Sequence, residues 1–288
     1  MESYLRLVDG ILRHGIEKQD RTGVGTTALF GVQLKHDMSK GFPLLTTKKM
    51  FTRAILVELE GFLNGITDKK WYQDRNCKIW NEWCNPMKVP YGHDEETKQK
   101  MFEERDLGPV YGFQWRHFGA KYEGYDKDYT GQGVDQIKNV LETLKSNPHS
   151  RRMIVNAWNP VDLNQMALEP CHYSWEVNVI NGKLNLKWNQ RSVDTMLGLP
   201  FNIASYGILL HLLAKETNLK PGILIAHLGD THIYKNHIEG AKEQLTRKPN
   251  NLPELKINDF NSIFNWKHDQ VEFINYNHHP RISFPIAV

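Results

Sequence analysis

Residues 173–194 read Tyr-Ser-Trp-Glu-Val-Asn-Val-Ile-Asn-Gly-Lys-Leu-Asn-Leu-Lys-Trp-Asn-Gln-Arg-Ser-Val-Asp. Trp175, Val177 and Val179 alternate with polar residues, Asn181-Gly182 interrupts, and Leu184, Leu186 and Trp188 alternate again. Successive strand side chains point to opposite faces, and Asn-Gly tolerates the positive φ angles of a two-residue loop, so the stretch predicts a β-hairpin. Cys171 then lies just before the first strand and Arg191 just after the second, and the hairpin brings a thiol and a guanidinium to one end.

Outward from the hairpin, Ile137, Val140, Leu141 and Leu144 stand at helical spacing within residues 134–146, and Asn147-Pro148 ends the segment. A longer apolar-periodic segment from Ile203 to about Leu219 predicts a buried central helix stopped by Lys220-Pro221-Gly222. Helix-like and strand-like segments alternate without a repeat or a low-complexity linker. That pattern predicts an α+β fold in one domain over residues 1–288, with a central, mostly antiparallel or mixed sheet packed by helices. Residues 84–106 are polar and charged and predict a surface insertion without chemistry.

With 288 residues, 40% hydrophobic and 24% charged, the chain can bury a sizeable core. Thirty-six basic against 33 acidic residues, a net charge of +3, is too balanced for a nucleic-acid footprint. Cys77, Cys84 and Cys171 contain no Cys-x-x-Cys pair, so neither a disulfide framework nor a zinc site is expected, and no metal is. The sequence after Met1 has no basic region followed by an apolar run, and no apolar stretch reaches the roughly 20 residues that span a bilayer. A reducing, cytoplasmic location away from membranes is expected.

The chemistry concentrates in three blocks: Glu169-Pro170-Cys171-His172, Gln190-Arg191-Ser192-Val193-Asp194, and Leu199-Pro200-Phe201-Asn202-Ile203-Ala204-Ser205. A thiol, an arginine that lowers its pKa or holds an anion, and a side-chain amide make a nucleophilic site for a charged, hydrogen-bonding substrate. Cys77 and Cys84 lack such surroundings and read as inert buried cysteines, and His172 reads as a structural neighbour rather than a general base.

The same succession resembles the thymidylate synthase family. The resemblance extends to Asp20-Arg21-Thr22-Gly23, Leu45-Thr46-Thr47-Lys48-Lys49, Lys78-Ile79-Trp80, Gly108-Pro109-Val110-Tyr111-Gly112, Ser150-Arg151-Arg152, Gly229-Asp230-Thr231-His232-Ile233-Tyr234 and the final Ala287-Val288, in the family's order. It implies reductive methylation of dUMP to dTMP with 5,10-methylenetetrahydrofolate, through a covalent bond from Cys171 to C6 of the base. Glu58, Arg191, Asn202 and Tyr111 complete the implied catalytic set, with Glu58 relaying protons through water.

The resemblance also implies the ligand contacts. Arg21, Arg151, Arg152 and Arg191, with Ser192, hold the phosphate. Arg151 and Arg152 come from the partner of a homodimer whose two-fold interface is a sheet face. Gln190 and Asp194 belong to the dUMP site, Asn202 donates to O4 and accepts from N3–H of uracil, and His232 and Tyr234 bind the deoxyribose hydroxyl. The reduced folate falls to Lys48, Glu58, Ile79, Trp80, Trp83, Asp194, Leu197, Gly198 and Phe201, with Lys48 on its glutamate tail and Val288 closing over the ligands.

Four residues depart from the family pattern. Glu60-Gly61 stands where an apolar residue and a tryptophan are common, Asn189 replaces a tyrosine and Glu169 replaces a proline. Glu60 and Asn189 are similar to the polar residues of phage-type hydroxymethylases, in which water captures the methylene, so dUMP 5-hydroxymethylation is the alternative. A third reading, an RNA-binding regulator, would use Lys48-Lys49 and Lys69-Lys70.

Overall fold

The computed structural model describes residues 1–286, so Val288 and its expected closing role lie outside the described residues. The helices are α1 (Glu2–His14), α2 (Thr52–Leu63), α3 (Lys69–Gln73), α4 (Glu95–Glu103), α5 (Gly112–His117), α6 (Gln136–Ser146), α7 (Gly198–Glu216) and α8 (Ile238–Thr246). The strands are β1 (Ile16–Lys18), β2 (Thr26–Asp37), β3 (Ile154–Asn156), β4 (His172–Ile180), β5 (Lys183–Asp194), β6 (Lys220–Tyr234), β7 (Glu254–Ile257) and β8 (Val271–Ile274). Six strands form one sheet in the order β1-β2-β6-β5-β4-β3, and β7 pairs with β8. β5 and β6 run parallel while β1–β2, β2–β6 and β3–β4 are antiparallel, so the expected α+β class with a mixed sheet is what the chain forms.

Packing divides the chain into two compact units: Met1–Phe51 with Val177–Asn258 and the chain from Val271 on, and Thr52–Glu176 with Asp259–Gln270. In the first unit the parallel pair β5–β6 demands a crossover, and α7 supplies it. Leu199, Ile203, Leu209, Leu212 and Leu213 of α7 are buried around much of its circumference, as a helix in a core must be. Trp188 and Leu186 of β5 and Leu224 and Ala226 of β6 fill the same interior. The second unit is built on α2, α5 and α6, with Phe62, Trp115 and Trp175 among its buried aromatics. No helix among the described residues is long and apolar enough to cross a membrane.

Two boundaries differ from the periodicity. Arg191 lies inside β5, which continues to Asp194, because its pairing with β6 runs on through Ser192↔Asp230 and Asp194↔His232. The central helix begins at Gly198, placing Asn202 within its early turns rather than before it. Asp194 Oδ1 accepts from the backbone N–H groups of Met196 and Leu197 at 3.0 Å each, and this turns the strand into the helix five residues earlier than apolar spacing indicated. Lys220-Pro221-Gly222 opens β6, where the missing N–H of proline is tolerated near a strand start.

The 84–106 segment is exposed along α4, in which Met101 is buried. Its ends are fastened. Asn85 N–H donates to Asp106 O at 2.7 Å and Lys69 N–H to Arg105 O at 2.8 Å, while Cys84, Asn85 and Asp106 are buried.

Candidate active site

In the second unit, Cys171 immediately precedes β4 and is partly exposed, whereas Cys77 and Cys84 are buried. Its backbone N–H donates to Tyr111 Oη at 2.9 Å. Tyr111 is delivered by Gly108-Pro109-Val110, and Gly108 is required there: its φ is +71°, and a Cβ would stand 1.8 Å from Gln165 O. The Tyr111 ring packs against both Phe62, at 4.8 Å and 20°, and His172, at 4.3 Å and 24°, whose own centroids are 6.2 Å apart. Burial pushes the His172 imidazole down to about 3, so it is neutral at physiological pH. Burial pushes the Cys77 thiol up to about 12, which leaves it protonated and inert.

Glu58 sits on α2 and is buried; burial pushes its carboxyl up to about 7. Trp80 beside it opposes that shift, although its indole N–H meets no acceptor in hydrogen-bonding geometry. A carboxyl poised near neutrality can take and return a proton. Trp80 also packs edge-on to Phe62 and Tyr111, Trp83 is stacked on Tyr91 at 5.6 Å, and Ile79 is 37% exposed. Arg151 and Arg152 are exposed after α6.

The two departures on α2 have local partners. Glu60 is 1% exposed, and its Oε2 accepts from the backbone N–H of His268 at 2.8 Å and contacts His268 Nδ1 at 2.7 Å; Lys267 Nζ is 3.5 Å from Oε1. Gly61 admits Tyr72: a Cβ on it would lie 2.3 Å from Tyr72 Oη. Glu60 thus anchors the 259–270 segment rather than adding a loose polar group. Asn189 is half-buried on β5 in register with His227, and Glu169 is exposed.

In the first unit, β5 carries Gln190, Arg191, Ser192 and Asp194, and the start of α7 carries Gly198, Phe201 and Asn202, with Leu197 just before it. Gln190 Nε2 donates to Asn202 Oδ1 at 3.1 Å. Arg21 is exposed in a turn whose Asp20 Oδ1 accepts from Gly25 N–H at 2.8 Å. His232 and Tyr234 lie on β6 with ring centroids 5.1 Å apart. His232 Nδ1 is 3.0 Å from Asp230 Oδ1, and Lys18 Nζ reaches Asp230 Oδ2. Burial acts to raise the Asp230 pKa, but Lys18 and His232 outweigh it and hold the carboxyl below its usual value. Sequence reasoning passed over Asp230, although its two-residue spacing from His232 on a strand signals a shared face.

Lys48, expected on the folate's glutamate tail, is 5% exposed; its ammonium donates to Met196 O and sits 4.7 Å from the Phe284 ring centroid. Burial lowers its pKa to about 8, with Asp194 opposing. Lys69 is buried too, its ammonium donating to the carbonyls of Trp83 and Met101. Two of the four lysines assigned to an RNA-binding face, Lys48 and Lys69, therefore donate to backbone carbonyls, while Lys49 and Lys70 are exposed.

The second unit thus holds a partly exposed cysteine whose backbone N–H donates to a tyrosine hydroxyl and a buried carboxyl with a raised pKa, and the first unit holds a hydrogen-bonded amide pair, Gln190 and Asn202. The sequence profile of the thymidylate synthase family matches residues 2–288. This chain belongs to the thymidylate synthase family. It is 47% identical over 290 residues to a bifunctional dihydrofolate reductase-thymidylate synthase of Paramecium tetraurelia, covering 99% of this chain and 61% of that protein. It is 45% identical over 289 residues to the thymidylate synthases of two strains of Varicella-zoster virus, Dumas and Oka vaccine, covering 99% of this chain and 93% of each viral protein. None of these family members bears a hydroxymethylase name, and the water-capture alternative finds no support among them. Among the described residues no cluster of side chains could hold a metal ion, and the family's chemistry calls for a folate co-substrate.

Proposed function

We propose that the protein methylates dUMP to dTMP, consuming 5,10-methylenetetrahydrofolate as both carbon and hydride donor. The carrying observation is the family match over residues 2–288, joined to a partly exposed Cys171 whose backbone is held by Tyr111. Cys171 adds as thiolate to C6 of dUMP, making C5 nucleophilic toward the methylene carbon. Tetrahydrofolate then departs with loss of the C5 proton. Hydride return to the exocyclic methylene, with expulsion of the Cys171 thiolate, gives dTMP and dihydrofolate. Glu58, with its raised pKa, organises water and relays protons during these steps. Exclusion of bulk water protects the methylene until hydride arrives.

In this reading Arg21, Arg191 and Ser192 bind the phosphate with Gln190 and Asp194 nearby in the nucleotide site. Asn202 reads uracil, and His232, held by Asp230, joins Tyr234 on the deoxyribose. Ile79, Trp80, Trp83, Leu197, Gly198 and Phe201 receive the folate. Arg151 and Arg152 are exposed and suited to reaching a second copy across a sheet-face homodimer. The chain acts as one catalytic domain, and its thiol nucleophile fits a reducing cytoplasm.

The test is to incubate the purified protein with dUMP and methylenetetrahydrofolate, weigh the nucleotide product and follow dihydrofolate by absorbance. Plain methyl transfer with one dihydrofolate per dTMP is expected. A product carrying an extra oxygen, without dihydrofolate, would overturn the proposal.

A further inference from the structure

A side-chain amide offers an oxygen and an NH2 group of nearly equal shape, so an asparagine discriminates between bases only if something decides which end faces which way. In the first unit a run of three hydrogen bonds makes that decision. Trp188 Nε1 donates to Gln190 Oε1 at 3.1 Å, and Gln190 Nε2 donates to Ser192 O at 3.1 Å and to Asn202 Oδ1 at 3.1 Å.

An indole N–H can only donate, so Gln190 must present its oxygen to Trp188. Both Gln190 amide protons then point at acceptors. Turning Gln190 over would oppose N–H to N–H at Trp188 and oxygen to oxygen at Ser192 and Asn202, losing all three bonds in a site where Gln190 is 3% exposed. Asn202 is set in turn, because a flip would oppose its NH2 to that of Gln190. The indole that begins the series is itself immobilised: Trp188 is 1% exposed and stacked on Tyr206 of α7 at 4.9 Å and 9°.

We infer that Trp188 is a positioning residue for base selection, its N–H fixing Gln190 and through it the Asn202 amide in the orientation that suits uracil and refuses cytosine. The inference rests on Asn202 reading the base. So held, Asn202 keeps N–H protons to donate to a carbonyl such as O4 and a second lone pair on its oxygen for N3–H. Cytosine offers an amino group and an unprotonated N3 at those positions, the reverse pattern. Trp188 touches no substrate in this scheme; it removes the flipped alternative.

Trp188→Phe keeps an aromatic ring for Tyr206 and deletes the donor. We would titrate dUMP and dCMP into wild type and variant by calorimetry, with thermal melting to verify folding. The ratio of the dCMP to the dUMP Kd is expected to fall by about three- to tenfold, the worth of one hydrogen bond. The Kd for the folate in the dUMP complex should stay unchanged, an outcome that general loosening would not give. Gln190→Leu severs the series one bond nearer the base. It should lower the ratio at least as much, and adding Trp188→Phe to it should do nothing further. A wild-type ratio in folded Trp188→Phe, additive losses in the double variant or, should Trp188→Phe not fold, a wild-type ratio in Gln190→Leu overturns the inference. Asn202→Ala separates the two levels: if it leaves the ratio intact, Asn202 does not read the base, and both that reading and this inference fail. If it collapses the ratio while Trp188→Phe does not, only the inference fails.

Discussion

His268 holds Glu60 through two atoms, its backbone N–H at 2.8 Å and its ring Nδ1 at 2.7 Å from the same carboxylate oxygen, across 208 residues of sequence. A carboxylate that is 1% exposed is costly unless its oxygens are engaged, and here a histidine and the nearby Lys267 engage them. Glu60, expected with Asn189 to add polarity near the methylene, is a fastening between α2 and the 259–270 segment.

Replacing Glu60 by Ala strands His268 and opens a cavity, and is expected to lower the unfolding free energy by about 3 kcal/mol in urea titration. The nucleotide product of the residual activity should still be a plain methyl by mass. A hydroxymethyl product falling or rising with this substitution would return Glu60 to the chemistry.

Gly61 is predicted to resist any side chain. A Cβ there meets Tyr72 at 2.3 to 2.5 Å, on a ring that is itself buried, so Gly61→Ala should cost about 1–3 kcal/mol in the same titration. Tyr72→Leu in the same chain should make Gly61→Ala cheaper than it is alone. Equal costs in the two backgrounds would disconnect the pair.

Glu58 gives a pH dependence whose sign follows from burial. Its folded pKa of about 7 exceeds the ordinary 4.5, so the folded state binds the proton more tightly. The stabilisation it contributes is fully present below pH 4.5 and is lost as pH rises through about 7. Relative to Glu58→Gln, the wild type should therefore lose stability between those values, measured by urea midpoints from pH 4.5 to 8. The rate should show an inflection near pH 7 in the wild type that is absent in Glu58→Gln, along with a kcat lowered by about a hundredfold or more.

Cys171→Ser is expected to reduce turnover by about a thousandfold or more while leaving the Kd for dUMP within a few-fold, because a hydroxyl replaces the thiolate but preserves shape. Intact turnover with dUMP and the folate would remove Cys171 from the mechanism. Loss of dUMP binding in a folded variant would make it a packing residue.

What the sequence by itself determined is what short-range physics controls. The two-residue alternation either side of Asn181-Gly182 became β4 and β5, the spacing of Ile137 to Leu144 became α6, and the class came out α+β with a mixed sheet. The order of the chemical blocks also sufficed for the family, since it requires no knowledge of contacts. Tertiary structure decided the partners. Lys48 and Lys69 look like surface cations in a linear reading, yet each is buried where backbone carbonyls wait for a donor. Strand pairing with β6 extended β5 past Arg191, and two backbone bonds to Asp194 started α7 early. The charge of Glu60 and the absent side chain of Gly61 became legible only once His268 and Tyr72 were beside them, because burial and hydrogen bonding act through space and a periodicity records only neighbours along the chain.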